Sequence, residues 1–329
     1  MMADTASMEP LLEVDDLQVE FRVGEGVVSA VNGVSFTVDA GKTVAIVGES
    51  GSGKSVTAQA VMRLLQTPPA RVSGGRILFQ GKDLLAMSEH DHRAVCGEHI
   101  AIVFQDALAA LNPVYSVGFQ LTEALRARRH LPRSAARKRA VELLELVQVP
   151  NAGRRVRDYP HQFSGGMRQR VLIAMALALE PEVLIADEPT TALDVTVQAQ
   201  IMRLLSEIQA EREMGLILIT HDLGVVAEVA DQVNVMYAGR FVEQASVDDI
   251  YAHPGHPYTQ ALLRSIPRLD RKGQDLYAIS GRPPELAQIP AGCPFHPRCP
   301  QAEDVCRTDP APQLRNLGNG RRASCHFAE

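Results

Sequence analysis

Eight consecutive residues, Gly48 to Ser55, combine the groups that can hold a chain of phosphates. They fit the pattern G-x-x-x-x-G-K-[ST], a phosphate-binding loop that opens a helix. Its glycines let backbone N–H groups turn toward phosphate oxygens, Lys54 can reach the β- and γ-phosphates, and the Ser55 hydroxyl can ligate Mg²⁺. The predicted nucleotide contacts are the eight residues of this segment and the one that follows it: Gly48, Glu49, Ser50, Gly51, Ser52, Gly53, Lys54, Ser55 and Val56.

Two adjacent acids follow the apolar run 183–186. A carboxylate at a strand end beside a phosphate loop can hold Mg²⁺ through water, which is the role predicted for Asp187. The next residue, Glu188, can polarise a water for in-line attack on a γ-phosphate. The alternative is that the two acids only cap the following turn. Together with the phosphate loop, the pair favours an enzyme that hydrolyses a nucleoside triphosphate.

A third motif, Phe163-Ser164-Gly165-Gly166-Met167, resembles the Leu-Ser-Gly-Gly-Gln signature of the ATP-binding-cassette (ABC) ATPases. A serine and glycine amides at a helix N-terminus form a second anion site. The resemblance implies that this site binds the γ-phosphate of ATP held by another subunit. Phe163 keeps an apolar anchor, whereas Met167 lacks the hydrogen-bonding side chain of the usual glutamine. The implied contacts in trans are Ser164, Gly165, Gly166, Met167 and Asp194, the last in the D-loop Ala192-Leu193-Asp194.

The same resemblance assigns roles at other positions. Phe21 corresponds to the aromatic residue that stacks on adenine, although a strand phenylalanine is also a common core residue. Gln105 ends a strand as the Q-loop glutamine, and His221 matches the switch histidine that contacts the γ-phosphate and the attacking water. Glu188 and His221 are therefore the expected catalytic residues. The expected Mg²⁺ ligands are Ser55, Gln105 and Asp187.

The elements that must position these residues alternate between strands and helices. Residues 11–40 show β patterning, and 43–47, 183–186 and 216–220 are apolar enough for buried strands. Helical patterns follow the phosphate loop from 56 to 65 and recur at 165–179 and 195–212, and Ser134 is expected to cap a further helix. This alternation predicts an α/β fold with a mainly parallel sheet. The ABC resemblance adds an antiparallel β subdomain and a helical subdomain.

A change of composition near residue 250 divides the chain. Residues 1–250 are expected to form the cassette, with a helical subdomain at about 106–180, and 251–329 a small, loop-rich extension. No run of 18 apolar residues occurs, and the N-terminus shows no signal-peptide pattern, which predicts a cytoplasmic protein. The formal net charge of −6 argues against a nucleic-acid partner.

The string His253-Pro254-Gly255-His256-Pro257-Tyr258-Thr259 makes the resemblance more specific. It is similar to the hallmark of the C-terminal extension in oligopeptide/dipeptide importer ATPases. This resemblance implies a homo- or heterodimer of ATPase subunits at the cytoplasmic face of the membrane. The dimer would contact two membrane permease subunits, fed by an extracytoplasmic peptide-binding protein, and segment 106–162 would receive the permeases' coupling helices.

Two functions remain open at this point. The first is the ATPase of a peptide-type importer, whose solute could be a dipeptide, a longer peptide, nickel or a sugar. The alternative is a soluble ABC ATPase, such as an accessory subunit of a phosphonate-lyase complex. ABC proteins that act on ribosomes or DNA are disfavoured, because they usually carry two cassettes and this chain has one phosphate loop and one signature.

Four of the five cysteines lie close to the C-terminus. Disulfides are disfavoured in a cytosolic chain, so a cluster of thiols suggests a metal. Structural zinc sites usually pair cysteines two to four residues apart, and no such pair exists here. A [4Fe–4S] cluster is therefore favoured over zinc or free thiols, with a structural or redox-sensing role. The candidate ligands are Cys293, Cys299, Cys306 and Cys325, while Cys96 is expected to be a small apolar residue.

Overall fold

The strand that leads into the phosphate loop is buried at all five of its positions, as predicted for a strand covered on both faces. The computed structural model describes residues 9–191, 193–266 and 278–329. The elements before residue 88 are β1 (Leu12–Val23), β2 (Gly26–Val38), β3 (Thr43–Val47), α1 (Lys54–Val61), β4 (Ala70–Phe79) and β5 (Lys82–Asp83).

The middle of the chain is mostly helical and carries three short strands among the described residues. Several of its helices begin at a side chain that accepts a backbone N–H, including Ser88, Ser116 and Asp194. The elements are α2 (Glu89–Glu98), β6 (Ile100–Val103), α3 (Ala107–Ala110), α4 (Val117–Arg129), α5 (Arg133–Leu146), α6 (Ala152–Arg155), α7 (Gly165–Ala176), β7 (Val183–Asp187), α8 (Val195–Arg212) and β8 (Gly215–Thr220).

The last third begins with helix and hairpin and ends in short elements. The elements are α9 (Leu223–Val229), β9 (Gln232–Tyr237), β10 (Arg240–Ser246), α10 (Val247–Ala252), α11 (Pro257–Arg264), β11 (Arg315–Gly318) and β12 (Arg321–Ala323). Two 3₁₀ turns, His296–Arg298 and Asp304–Arg307, lie among the cysteines. None of the described helices is long and apolar enough to cross a membrane.

Contacts divide the chain into two compact units, one of residues up to 87 with those from 221 onward, the other of residues 88–220. In the first unit, β2, β1, β4 and β5 form an antiparallel sheet in that order. Strand β3 pairs in parallel with β9, and β9, β10, β12 and β11 continue antiparallel. The strands β11 and β12 of the predicted extension thus join the sheet that contains the phosphate-loop strand.

The second unit contains β6, β7 and β8, which pair in parallel with β7 in the centre. Strands β7 and β8 are buried along their whole length, which confirms the prediction of buried parallel strands. At the carboxyl ends of these strands lie Gln105, two residues beyond β6, and Asp187, the last residue of β7. Because parallel strands end at the same edge, the topology brings these positions together.

Two local predictions were wrong. Helix α1 ends at Val61 rather than Leu65, and Arg63 adopts a left-handed φ of 48° just beyond it. Ser134 does not cap a helix, because Pro132 occupies the N-cap position and α5 already begins at Arg133. The expected boundary near residue 250 and the limits of the helical subdomain stay predictions.

Candidate functional site

Two glycines of the phosphate loop lie so close to neighbouring backbone that a side chain would not fit. A Cβ on Gly48 would lie 2.2 Å from the Met236 carbonyl oxygen, and one on Gly53 would lie 2.5 Å from that of Ala30. Gly53 also has a φ of 109° and sits at the N-cap of α1, so the loop turns into the helix without a side chain. The loop can therefore expose backbone N–H groups at a helix N-terminus, where phosphate binds well.

Lys54 lies inside this loop rather than in solvent. Its side chain is buried, and Nζ donates to the carbonyl oxygens of Gly48 at 2.8 Å and Glu49 at 2.9 Å. Ser55 follows in the first turn of α1 and is half-buried. The loop therefore holds its lysine folded back on its own backbone, close to the N-terminus of the helix.

Glu49, in the middle of the loop, is held by two residues of the predicted C-terminal extension. Its backbone N–H donates to the Tyr258 hydroxyl at 2.8 Å. Its carboxylate accepts from both terminal nitrogens of Arg298, at 2.6 and 2.9 Å. The hydrogen bond to Glu49 holds the pKa of Arg298 above its usual value, and the guanidinium carbon lies 5.9 Å from the ring centres of both Tyr237 and Phe295.

The string that contains Tyr258 is fixed by a buried carboxylate. Glu243 accepts from the backbone N–H groups of Gly255 at 2.6 Å and His256 at 2.8 Å. His256 then caps α11, because its Nδ1 accepts the Tyr258 N–H at 3.0 Å, and Pro257 occupies the first helical position. Burial lowers the pKa of His256 to about 3 and raises that of Glu243. The string therefore aims Tyr258 at the phosphate loop.

The two adjacent acids predicted to bind Mg²⁺ and to polarise water, Asp187 and Glu188, lie in the second unit. Asp187 is buried at the end of β7, and Glu188 follows with a φ of 46°, its N–H bonded to the Ile219 carbonyl at 2.9 Å. Glu188 Oε2 accepts from Gln105 Nε2 at 2.9 Å and from the Thr191 hydroxyl at 2.8 Å. Two donors thus fix one carboxylate oxygen, as suits a base that must hold a water in a set direction.

The signature segment forms the start of a helix in the same unit. Ser164 caps α7, with its Oγ accepting the Met167 N–H at 3.4 Å, and both Ser164 and the following glycine are exposed. A Cβ on Gly166 would lie 2.5 Å from a methyl of Val197, whose N–H in turn donates to Asp194 at 3.0 Å. The signature glycine therefore lies against the first turn of α8, next to the predicted D-loop aspartate.

Three further positions carry predicted roles that the geometry leaves untested. Phe21 lies in β1 and is only half-buried, so it is outside the core. His221 follows β8 and is exposed. Ala192 of the predicted D-loop lies outside the described residues. Their predicted roles, like those of the other site residues, stay predictions.

An open groove crosses the helical part of the second unit. It contains aromatic side chains that stay partly exposed and a set of positive charges. Its lining includes Phe119, Tyr159, Arg126, Arg133, Arg137 and Arg157. Such a mixture of exposed aromatic and cationic groups is typical of a surface that binds another protein.

The four C-terminal cysteines line one small pocket together with His296 and His326. Burial raises the pKa of the Cys293 thiol to about 11, and it also raises those of Cys299 and Cys325. However, no three Cys, His, Asp or Glu side chains in 9–191, 193–266 or 278–329 form a group that could hold a metal ion. The arrangement of these side chains thus gives no support to a bound cluster. Cys96 instead lies 3.2 Å from His92 Nε2 in α2.

Sequence reasoning finds the loop, the acids and the signature, but it misses Tyr258 and Arg298 as partners of the loop. Tyr258 stands out in the sequence only as part of a family string, and Arg298 belongs to no local pattern. The position of this arginine between two cysteines is the one signal that the sequence offers.

Comparisons with known proteins agree with the motifs. The family described as "ABC transporter" matches residues 31–191, and that described as "Oligopeptide/dipeptide transporter, C-terminal region" matches 242–306. The dipeptide transport ATP-binding protein DppD of Bacillus subtilis is 54% identical over 94% of this chain and 92% of its own. The oligopeptide transport ATP-binding protein OppD of Salmonella typhimurium is 49% identical over 98% of this chain and 97% of its own.

Among solved structures, a post-hydrolysis dimer of the ATP-binding cassette MJ0796 with ADP and phosphate is similar. It is 26% identical, has a TM-score of 0.65, and covers 72% of this chain and 98% of its own. The protein cbiO1 of Clostridium perfringens, part of the ABC transporter complex cbiONQ, has a TM-score of 0.64 at 32% identity, over 75% of this chain and 92% of its own.

Proposed function

The chain belongs to the ATP-binding proteins of oligopeptide/dipeptide ABC transporters, and we propose that it hydrolyses ATP to power a peptide importer. It has the ABC cassette fold and is an ABC ATPase. The observation that carries the transport role is the C-terminal match at 242–306, which accompanies the full-length similarity to DppD and OppD. The names of these relatives favour transport over a soluble accessory ATPase.

In the proposed site, the loop binds the phosphates of ATP. Gly48 and Gly53 leave room only for backbone, so backbone N–H groups would face the phosphate oxygens, and Lys54 would contact them from the start of α1. Ser55, Gln105 and Asp187 offer the oxygen donors that Mg²⁺ prefers, which is a chemical fit for that ion. Bound Mg²⁺ would neutralise charge on the β- and γ-phosphates. Phe21 is proposed to stack on the adenine.

Glu188 is proposed as the general base. Its carboxylate is oriented by Gln105 and Thr191, so a water bonded to it is held in a fixed direction for attack on the γ-phosphate. His221 would contact the γ-phosphate and the same water, since a histidine can stabilise charge that develops there. The orientation of Glu188 by two donors supports this assignment.

A second ATPase subunit is proposed to complete each site. The exposed N-terminus of α7, with Ser164, Gly165, Gly166 and Met167, would contact the γ-phosphate of ATP bound to the partner, next to Asp194. This partner is either a second copy or a similar chain. The similar cassette MJ0796 was solved as a dimer in its post-hydrolysis state, which supports pairing as a property of cassettes.

The groove with Phe119 and Tyr159 is proposed to receive a cytoplasmic helix of the permease. Its four arginines would pair with acidic side chains or with the negative C-terminal end of that helix. The chain would then lie at the cytoplasmic face of the membrane without spanning it. A peptide-binding protein outside the membrane would act through the permeases.

A [4Fe–4S] cluster in the thiol pocket remains part of the proposal, with Zn²⁺ as the alternative. Its support is the clustering of four cysteines near the C-terminus, since thiolates are the usual ligands of both groups; the described side chains themselves form no metal-binding group. Its role would be structural or redox-sensing, because ATP hydrolysis transfers no electron. Iron and sulfide analysis with a visible spectrum of anaerobically purified protein tests it, and colourless protein that contains zinc would refute the cluster.

The transport role is tested by isolating the intact complex from membranes. We expect two permease subunits and an ATPase partner to co-purify, and peptide-loaded binding protein to stimulate ATP hydrolysis in reconstituted vesicles. Recovery of the chain in a soluble enzyme complex without permeases would favour the accessory-ATPase function instead.

A further inference from the structure

We propose that the C-terminal extension holds the nucleotide loop in its ATP-binding shape, with Arg298 and Tyr258 as positioning residues. This proposal rests on the proposed ATPase function. Both residues contact Glu49, a loop residue whose own side chain has no part in the loop's consensus pattern. Glu49, Tyr258 and Arg298 all belong to the same compact unit, so these contacts lie within that unit.

The contact between Arg298 and Glu49 is a partly buried, bidentate ion pair. Arg298 Nη1 and Nη2 donate to the two oxygens of Glu49 at 2.6 and 2.9 Å, and the Arg298 side chain is 4% exposed. Its Nε donates to the Ser280 carbonyl at 3.0 Å, so the guanidinium plane is fixed from both sides. A parallel, bidentate pair of this kind restrains direction as well as distance. Lysine cannot reproduce it, because an ammonium is a point donor.

Tyr258 holds the backbone of the same residue. It is fully buried, and its hydroxyl accepts the Glu49 N–H at 2.8 Å. The Glu49 carbonyl meanwhile accepts from Lys54 Nζ at 2.9 Å. Both the backbone N–H and the backbone carbonyl of Glu49 are thus hydrogen-bonded. A shift of Glu49 would therefore also move Lys54, the residue that is proposed to bind phosphate.

The segment that carries Arg298 is itself fixed at two cysteines of the thiol pocket. Arg298 ends the 3₁₀ turn His296–Arg298, and Cys299 follows it directly. His296 Nδ1 contacts the Cys293 carbonyl at 3.0 Å, and the Cys299 N–H donates to His296 at 3.2 Å. A change at the cysteines of the thiol pocket would therefore shift Arg298 and, through its contact with Glu49, the nucleotide loop.

The experiment compares Arg298→Ala, Arg298→Lys and Tyr258→Phe in the assembled transporter, using a fluorescent ATP analogue for affinity and steady-state hydrolysis for KM and kcat. We expect the Kd and KM of Arg298→Ala for ATP to rise about tenfold or more, since a charged hydrogen-bonded pair is lost. Those of Arg298→Lys should rise as well, because an ammonium cannot make the bidentate contact. We expect kcat to change less than about twofold. Arg322→Ala, which removes an exposed arginine of the same extension, is the matched control and should match wild type.

A double-mutant cycle with Glu49→Ala separates positioning from general destabilisation. If Arg298 acts through Glu49, the two substitutions should raise Kd together no more than the larger one does alone. Cys299→Ser should raise Kd in the wild-type background and have no added effect with Arg298→Ala. Where Arg298→Ala does not fold, Tyr258→Phe, which removes one oxygen, should still weaken binding.

An unchanged Kd in folded Arg298→Ala or Tyr258→Phe would overturn the proposal. So would additive effects of Arg298→Ala and Glu49→Ala. These results differ from a failure of the proposed function, in which the wild-type complex itself would not hydrolyse ATP.

Discussion

Gln105 donates its side-chain amide to the Glu188 carboxylate, with 2.9 Å between Nε2 and Oε2. The two residues are 83 positions apart in the chain, but they follow neighbouring parallel strands whose register pairs Val103 with Ala186. The sheet therefore places a glutamine beside the proposed base. Thr191, three residues after Glu188, supplies a second donor to the same oxygen.

Replacement of the base should separate binding from chemistry. We expect Glu188→Gln to lower the rate of ATP hydrolysis by at least about 100-fold, because the amide cannot accept a proton from the water. ATP affinity should stay within a few-fold of wild type, since no proposed phosphate contact is removed. Single-turnover hydrolysis and equilibrium binding measure the two effects. Glu142→Gln, at a partly exposed acid of α5, is the control, and unchanged hydrolysis in Glu188→Gln would refute the assigned role.

Removal of either donor to the Glu188 carboxylate should lower kcat. We expect Gln105→Ala and Thr191→Val each to lower kcat by about tenfold, because a hydrogen bond to a charged group that orients the base is lost. The double variant should lower kcat less than the product of the two effects, since both donors act on one carboxylate. If both single variants keep the wild-type kcat, the Glu188 carboxylate does not depend on them for its orientation.

The glycines of the loop offer a graded test of its packing. A Cβ on Gly51 meets no atom within 4 Å, whereas one on Gly48 or Gly53 would meet a backbone oxygen. We expect Gly51→Ala to lower the free energy of unfolding by about 1 kcal/mol, the cost of left-handed backbone. Gly48→Ala and Gly53→Ala should cost about 3 kcal/mol or more because the backbone must move. Urea unfolding compares the three, and equal losses would contradict the packing argument.

The signature serine can be tested as a cap and as an anion site separately. Ser164→Ala should lower the free energy of unfolding by about 1 kcal/mol, whereas Ser164→Asp should keep it, because aspartate caps helices equally well. The aspartate would nevertheless repel a γ-phosphate, so we expect Ser164→Asp to lose most ATP hydrolysis. Wild-type hydrolysis in Ser164→Asp would show that this helix end does not face phosphate.

Local patterns predicted much of this molecule. Helix α8 begins and ends where its amphipathic pattern does, at Val195 and Arg212. Buried strands β7 and β8 were recognisable because parallel strands covered on both faces are continuously apolar. These features depend on residues that are close in sequence, so the sequence pattern carries them.

The missed features depend on residues that are distant in sequence. Glu49 and Arg298 are 249 positions apart, and neither is marked by periodicity. The start of α5 was also predicted wrongly, because a serine and a proline close together both favour a helix start. Serine is a common N-cap, which favours Ser134, but proline lacks the N–H that is unpaired at a helix start anyway. Pro132, with an extended ψ of 154°, takes the N-cap position, and the helix begins at Arg133.

The buried His256 predicts a pH dependence of stability. Burial lowers its pKa to about 3, from about 6.5 for an exposed histidine, and its Nδ1 must stay unprotonated to accept the Tyr258 N–H. Because the unfolded chain binds the proton first, this contribution is fully present above about pH 6.5 and is lost as the pH falls toward 3. Between about pH 7.5 and 5.5 we expect a loss of about 1.4 kcal/mol in the free energy of unfolding.

His256→Asn is the matched control for this pH effect. Asparagine can accept the same N–H as a helix cap, but it does not titrate, so the variant should lose about 1.4 kcal/mol less than wild type over that interval. The pKa of the adjacent Glu243 is raised by burial in both proteins, and its contribution cancels in the comparison. Urea unfolding at the two pH values measures the difference, and parallel losses in both proteins would show that His256 is not the titrating group.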